Sequence, residues 1–186
     1  IAAAGVSPGG RLVVIHVSAG NPFRRWPIGS FGDVAAALVA RHPKVHVIIT
    51  SGPSEHDAAS HVIAHAREHL PLADQARVVD CGDFSLSELR ELVDRAALYI
   101  GGDSGPMHIA ATSHLPMISL DGPTPPAPWA PWRAAAFPSA AIEVHGLECR
   151  PCDQRVCAPG DFRCLLRIQP REVVDMAERL VNWEAI

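Results

Sequence analysis

The stretch Ile100-Gly-Gly-Asp-Ser-Gly-Pro-Met-His108 follows an apolar run at 96–100 and leads into the small residues Ile109-Ala-Ala-Thr112. The short apolar run predicts a buried strand, the glycines a tight turn, and the residues after them a helix. Pro106 suits the first helical turn, where a missing N–H costs little. The first N–H groups of a helix have no intrahelical partner, and the macrodipole is positive at that end. Three polar side chains, Asp103, Ser104 and His108, are brought to the same place. This is the chemistry of an anion site, and of a phosphate or pyrophosphate site above all.

Further apolar runs fall at 12–17, 45–50, 77–80 and 116–120. They are rich in β-branched residues and nearly continuous, so they predict strands covered on both faces; a shorter strand is expected at 141–144. Helices are expected between them. Ser30 with Asp33 reads as a capping box opening a helix to about residue 41. A long helix is expected over about 55–69. Ser85-Leu-Ser-Glu88 is a second capping box, opening a helix to about residue 95. The helix after Gly105 is expected to end near His114. Pro170 opens a last helix over about 170–184, with Val173, Val174, Ala177, Leu180 and Val181 on its apolar stripe. Strands alternating with helices give an α/β fold, a doubly wound, Rossmann-like parallel sheet, as a single domain over 1–186. Residues 121–139, rich in proline and tryptophan, read as an ordered surface loop.

The chain has 186 residues, 48% of them apolar, with a net charge of −4. That suffices for one core, and the charge argues against a nucleic-acid partner. No apolar run reaches the roughly 18 residues of a membrane span. Residues 1–10 carry no basic segment ahead of an apolar one, so no leader is expected, and Ile1 reads as the start of a fragment of something longer. Five cysteines, Cys81 alone and four clustered near the C-terminus, favour reduced thiols and a cytoplasmic location.

In a doubly wound sheet, ligands bind beyond the carboxyl ends of the strands. Ser18-Ala-Gly20, Ser51-Gly52, Gly82-Asp83, the turn at 102–105 and Gly122-Pro-Thr124 all fall at such ends. Asp103 is placed to accept a hydrogen bond from a sugar hydroxyl, or to cap the helix together with Ser104. Gly105 lets the backbone approach a ligand closely. His108 lies at the positive end of the helix, where a neutral imidazole is favoured. Arg24-Arg25-Trp26-Pro27 offers a guanidinium to a diphosphate or to solvent. Glu55 serves two ribose hydroxyls or complements a helix dipole. The chain has no G-x-G-x-x-G after its first strand, no Walker A lysine motif and no G-x-S-x-G. These absences argue against dehydrogenases, P-loop enzymes and serine hydrolases.

Cys149-x2-Cys152-x4-Cys157-x6-Cys164 places four thiols in one short segment. They can supply a tetrahedral zinc or iron–sulfur site, pair locally, or remain a compact loop of free thiols.

The loop ending Arg-Arg-Trp-Pro27, then Phe31, Gly-Gly-Asp-Ser-Gly-Pro-Met-His-Ile-Ala-Ala111 and Gly-Pro-Thr124, resembles the heptosyltransferase family of glycosyltransferases, family 9. The spaced cysteines ending in Arg-Cys-Leu165, followed by Ile-x-Pro170, are similar to that family too. The resemblance runs from about Arg11 to Leu180. It implies the C-terminal, donor-binding half of a GT-B enzyme, with the N-terminal acceptor domain absent. It implies an ADP-heptose donor, a lipopolysaccharide core acceptor reached through the missing domain, and inverting transfer without a cofactor. No catalytic residue is then expected on this chain, because the family's base is an aspartate of the other domain. By the same resemblance Asp103 binds sugar hydroxyls, while Ser104, Gly105 and His108 hold the diphosphate. Arg24 stands where a lysine is usual, and Glu55 lies near a ribose-contacting position. Ser18, Gly20 and Thr124 complete the expected binding set. The implied location is cytoplasmic, at the inner face of the inner membrane, with at most peripheral membrane association. Other classes left open are a standalone nucleotide-binding module, a zinc-stabilised interaction module, and a nucleotide-sugar epimerase, for which no acid/base residues are found.

Overall fold

Six parallel strands, all covered by helices on at least one face, make the sheet: β1 (Arg11–His16), β2 (Val45–Thr50), β3 (Val78–Asp80), β4 (Ala96–Gly102), β5 (Met117–Asp121) and β6 (Ser139–Glu143). Their order is β3-β2-β1-β4-β5-β6. This computed structural model describes residues 6, 9–124 and 126–184; most of the stretch read for a leader lies outside them. Register is fixed by alternation. Val13 and Ile15 of β1 and Val47 and Ile49 of β2 point into one core, whereas Leu12, Val14 and Ile48 point into the other.

The first core is closed by α1 (Ile28–Arg41), α2 (His56–Glu68) and α8 (Pro170–Leu180). Phe31, Val34 and Leu38 of α1 and Val173, Val174 and Ala177 of α8 are buried in it. The second core is closed by α4 (Leu86–Asp94) and α5 (Gly105–Ala111), which bury Leu89, Leu92, Met107 and Ala110. Short helical turns α3 (Leu72–Gln75), α6 (Pro126–Trp129) and α7 (Arg163–Leu166) complete the chain.

The Ser85 capping box forms as expected: its hydroxyl accepts from the Glu88 N–H, and Glu88 accepts from the Ser85 N–H. The expected box at Ser30 does not. α1 begins at Ile28, and the Pro27 carbonyl already accepts from Phe31, so Ser30 lies inside the first turn. Asp33 is instead turned to α2, where it meets His65. The last helix stops at Leu180, because Val181 turns extended, and so does not reach 184. The helix at α5 ends at Ala111, short of His114, because Thr112 and Ser113 bond back to the last turn. The loop after β5 contains the helical turn α6.

Candidate functional site

β1 and β4 are neighbours, yet α1 and α5 leave to opposite faces of the sheet. The crevice between the two carboxyl ends is therefore uncovered, the switch point where doubly wound folds take ligands. After β1 the chain makes a 3-10 turn at Pro22–Arg24, held by Asn21, whose carboxamide oxygen accepts from the Phe23 N–H. Gly102 passes directly beneath this loop; a Cβ there would lie 3.1 Å from the Arg24 carbonyl oxygen.

This close approach brings Arg24 onto Asp103. The guanidinium lies 2.9 Å from Asp103 Oδ2, and Thr124 donates its hydroxyl to the same oxygen at 2.9 Å. Asp103 is only 4% exposed, so the pair is a desolvated carboxylate matched by a partly open cation. Neither bond engages Oδ1. Arg24 Nε donates to Gln154 at 2.7 Å, and Asn21 donates to the same Gln154 oxygen at 3.0 Å. Gln154 has φ 61°, the left-handed region that a glutamine adopts at a cost. Sequence reading missed it. A polar residue amid the spaced cysteines carries no local mark of reaching a loop 130 positions away.

Ser104 occupies the N-cap position of α5, but its side chain makes no capping bond. Asp103 does not cap either, being committed to Arg24 and Thr124. The expected alternative, that these two residues merely cap the helix, is therefore overturned. Space in front of the helix is open: a Cβ on Gly105 would meet nothing within 4 Å. His108 lies exposed in the same helix. Beneath the turn, Tyr99 is fully buried and fills the place of a Gly101 side chain, since a Cβ there would lie 2.7 Å from the tyrosine oxygen. Burial pushes the Tyr99 hydroxyl well up.

A second group sits at the ends of β1 and β2. Ser18 is buried; its hydroxyl accepts from the Gly52 N–H at 2.9 Å and bonds His16 Nε2 at 2.9 Å. Thr50 holds the other imidazole nitrogen at 3.0 Å. Burial lowers His16 to about 4, so it is neutral here. Glu55 pairs with Arg25, whose Nε also donates to the Ala19 carbonyl. Ser18 thus ties two loops together, Arg25 holds Glu55 at the crevice edge, and Gly20 is exposed, so that a Cβ there would meet nothing within 4 Å. Asp121, at the end of β5, is raised chiefly by burial and further by the nearby Asp103 and Glu143 carboxylates.

The four clustered cysteines share one cavity of about 200 Å³, with Phe23, Pro123 and Phe162 among its walls. All are free thiols, and burial raises Cys164, with Cys149 nearby adding to the shift. Among the described residues no three of these sulfurs lie within 4.8 Å of one another.

The family profile of glycosyltransferase family 9 (heptosyltransferase) matches residues 3–161. The chain belongs to that family. Lipopolysaccharide heptosyltransferase 3 of Escherichia coli is 40% identical over 125 residues, covering 67% of this chain and 35% of the relative. Lipooligosaccharide heptosyltransferase 2 of Campylobacter jejuni is 24% identical over 159 residues, covering 86% and 47%. This family 9 chain thus spans less than half the length of those relatives. In structure it resembles E. coli ADP-heptose lps heptosyltransferase II (TM-score 0.74, 21% identity), covering 94% of this chain and 47% of that one. It also resembles E. coli heptosyltransferase WaaC with ADP (TM-score 0.68, 17% identity), covering 92% and 45%. At these identities the structures speak to the fold, half of a GT-B enzyme. No helix among the described residues is long and apolar enough to cross a membrane.

Proposed function

We propose that this chain is the donor-binding half of an inverting heptosyltransferase of lipopolysaccharide core biosynthesis, taking an ADP-heptose. The observation that carries the reading is the Arg24–Asp103–Thr124 cluster beside the uncapped start of α5, at the β1/β4 switch point. In the free chain Asp103 neutralises Arg24. A bound diphosphate takes the remaining guanidinium N–H groups and the backbone N–H of Gly105, because Pro106 has no N–H and Met107 and His108 already donate to the Ser104 carbonyl. Sugar hydroxyls then donate to Asp103. Glu55, held by Arg25, serves the ribose, and His108 reaches the diphosphate from the helix face. Ser18 and Thr124 position the loops that carry these contacts.

In transfer, an acceptor hydroxyl loses its proton to a base in the second domain, and its oxygen attacks the anomeric carbon. The C–O bond to the diphosphate breaks with inversion. Charge grows on the leaving oxygen, and Arg24 with the positive helix end stabilises it, the electrostatic role that typically dominates such catalysis. No cofactor enters this scheme. The acceptor is the lipopolysaccharide core, met at the cytoplasmic face of the inner membrane by the acceptor domain. The single domain over 1–186 is thereby a binding unit, inactive by itself.

Calorimetric titration with ADP, UDP and GDP tests this. ADP is expected to bind most tightly. His108→Ala is expected to weaken ADP by about tenfold or more, the worth of a charge-assisted hydrogen bond, and Asp103→Ala to weaken ADP-heptose, whose sugar it meets, by a similar factor. Unchanged affinity in both variants, or turnover of ADP-heptose by this chain alone, refutes the proposal.

A further inference from the structure

Away from the crevice, α1 and α2 hold a group of side chains that the donor site does not use. His65 and Asp33 meet at 2.7 Å between His65 Nε2 and Asp33 Oδ1. His69 lies one turn along from His65, with the two rings stacked at 4.5 Å. One ligand atom from each of Asp33, His65 and His69 lies within 4.8 Å of the other two. His69 Nδ1 donates to the His65 carbonyl at 2.8 Å, which leaves its Nε2 as a bare lone pair. Anchoring one ring nitrogen so that the other is free is what orients a metal-binding imidazole.

A second, independent feature supports the grouping. The face of α1 opposite His65 carries Gly29 and Gly32. A Cβ at Gly32 would lie 2.5 Å from His65 Cδ2, and one at Gly29 would lie 3.5 Å from His65 Cε1. A glycine in a helix interior costs up to about 1 kcal/mol. Here that cost makes a seat that lets the imidazole lie flat on α1 beside Asp33.

We propose that Asp33, His65 and His69 bind a divalent transition-metal ion, Zn²⁺ or a neighbour in the series, and so cross-link α1 to α2. Two imidazoles and one carboxylate are a borderline-hard donor set suited to such ions, and poorly suited to Ca²⁺ or Mg²⁺. Bonds of about 2.0–2.2 Å set tetrahedral donor atoms roughly 3.3 Å apart, so the trio needs only small side-chain rotations to close on an ion. The ion displaces the proton shared by His65 and Asp33. The fourth position stays with water, because the cluster lies at the surface.

Because cysteine thiolates also take zinc, the test reads histidines directly. The reduced, metal-free 186-residue chain is treated with diethylpyrocarbonate with and without ZnCl₂, and modification is mapped by peptide mass spectrometry. Zinc is expected to protect His65 and His69 and to leave exposed His56 reactive. In a second measurement, zinc is expected to raise the melting temperature of the wild type. That rise is expected to need at least about tenfold more zinc in Asp33→Asn and in His69→Ala. The carboxamide of Asp33→Asn keeps a hydrogen bond to His65, and His69 is exposed, so both variants retain the fold. Equal modification of His65 and His69 with and without zinc overturns the proposal. So does protection confined to cysteines, or an undiminished zinc response in His69→Ala.

Discussion

Two glycines four positions apart, in one motif, call for opposite outcomes on replacement by alanine. At Gly101 the new methyl would fall 2.7 Å from the Tyr99 oxygen and 3.0–3.1 Å from two of its ring atoms. Tyr99 is fully buried, so the ring has nowhere to retreat without moving Met107 or the sheet. Overpacking of this kind costs about 1–3 kcal/mol, which in a domain of this size lowers Tm by roughly 2–12 °C. At Gly105 the methyl meets nothing within 4 Å, and alanine is a better helix residue. Gly105→Ala therefore keeps wild-type stability or gains a few tenths of a kcal/mol. Its methyl instead occupies the space through which a diphosphate reaches the helix start. Loss of one charge-assisted hydrogen bond, about 1.5–3 kcal/mol, weakens ADP by roughly 10–150-fold. Urea denaturation and calorimetry on both variants separate the two effects. A Gly101→Ala protein as stable as wild type refutes the packing analysis. A Gly105→Ala protein that binds ADP normally refutes the placement of the diphosphate.

Three further outcomes are expected. Arg24→Lys keeps the charge but loses the fork that meets Asp103 and Gln154 together, so ADP affinity should fall less than in Arg24→Ala, with calorimetry showing the order wild type, Lys, Ala. Folded, His16 stays neutral down to about pH 4, whereas unfolded it takes a proton near 6.5. The unfolded chain binds more protons in that window, so stability from this group is whole above about pH 6.5 and declines by up to about 3 kcal/mol toward pH 4. Asp121, raised by burial, acts in the opposite sense just above the ordinary aspartate range, so the His16 share is read as the difference in urea midpoints between wild type and His16→Gln across pH. Ser85→Ala breaks a formed capping box and should cost about 1 kcal/mol, a Tm loss of roughly 2–4 °C by calorimetry, with ADP binding unchanged.

Much of the architecture was legible because it rests on local signals. The runs that became β1, β2, β4 and β5 are mostly apolar, and these strands are buried along most of their length, as strands covered on both faces are. Ser85 and Glu88 named a helix start because both partners lie within one turn. The same logic failed at Ser30, where a proline three residues earlier had already begun the helix, freeing Asp33 for a residue on another element.

The crevice residues show the same division. Asp103, Ser104 and Gly105 could be picked out along the chain, since a strand, a glycine turn and a helix start are consecutive. Their partners could not. That Arg24 rather than Arg25 reaches Asp103, that Arg25 instead holds Glu55, and that Gln154 arrives from the cysteine segment depend on where three loops end up in space. The chain order alone determined an α/β sheet with an anion-friendly turn after its fourth strand, because backbone preference and hydrophobic periodicity act over neighbouring residues. Only the tertiary structure decided which charges meet there, and that α1 and α2 join Asp33 to a pair of histidines. Side-chain pairing over tens or hundreds of positions is set by the packing of whole elements and leaves no trace in local sequence.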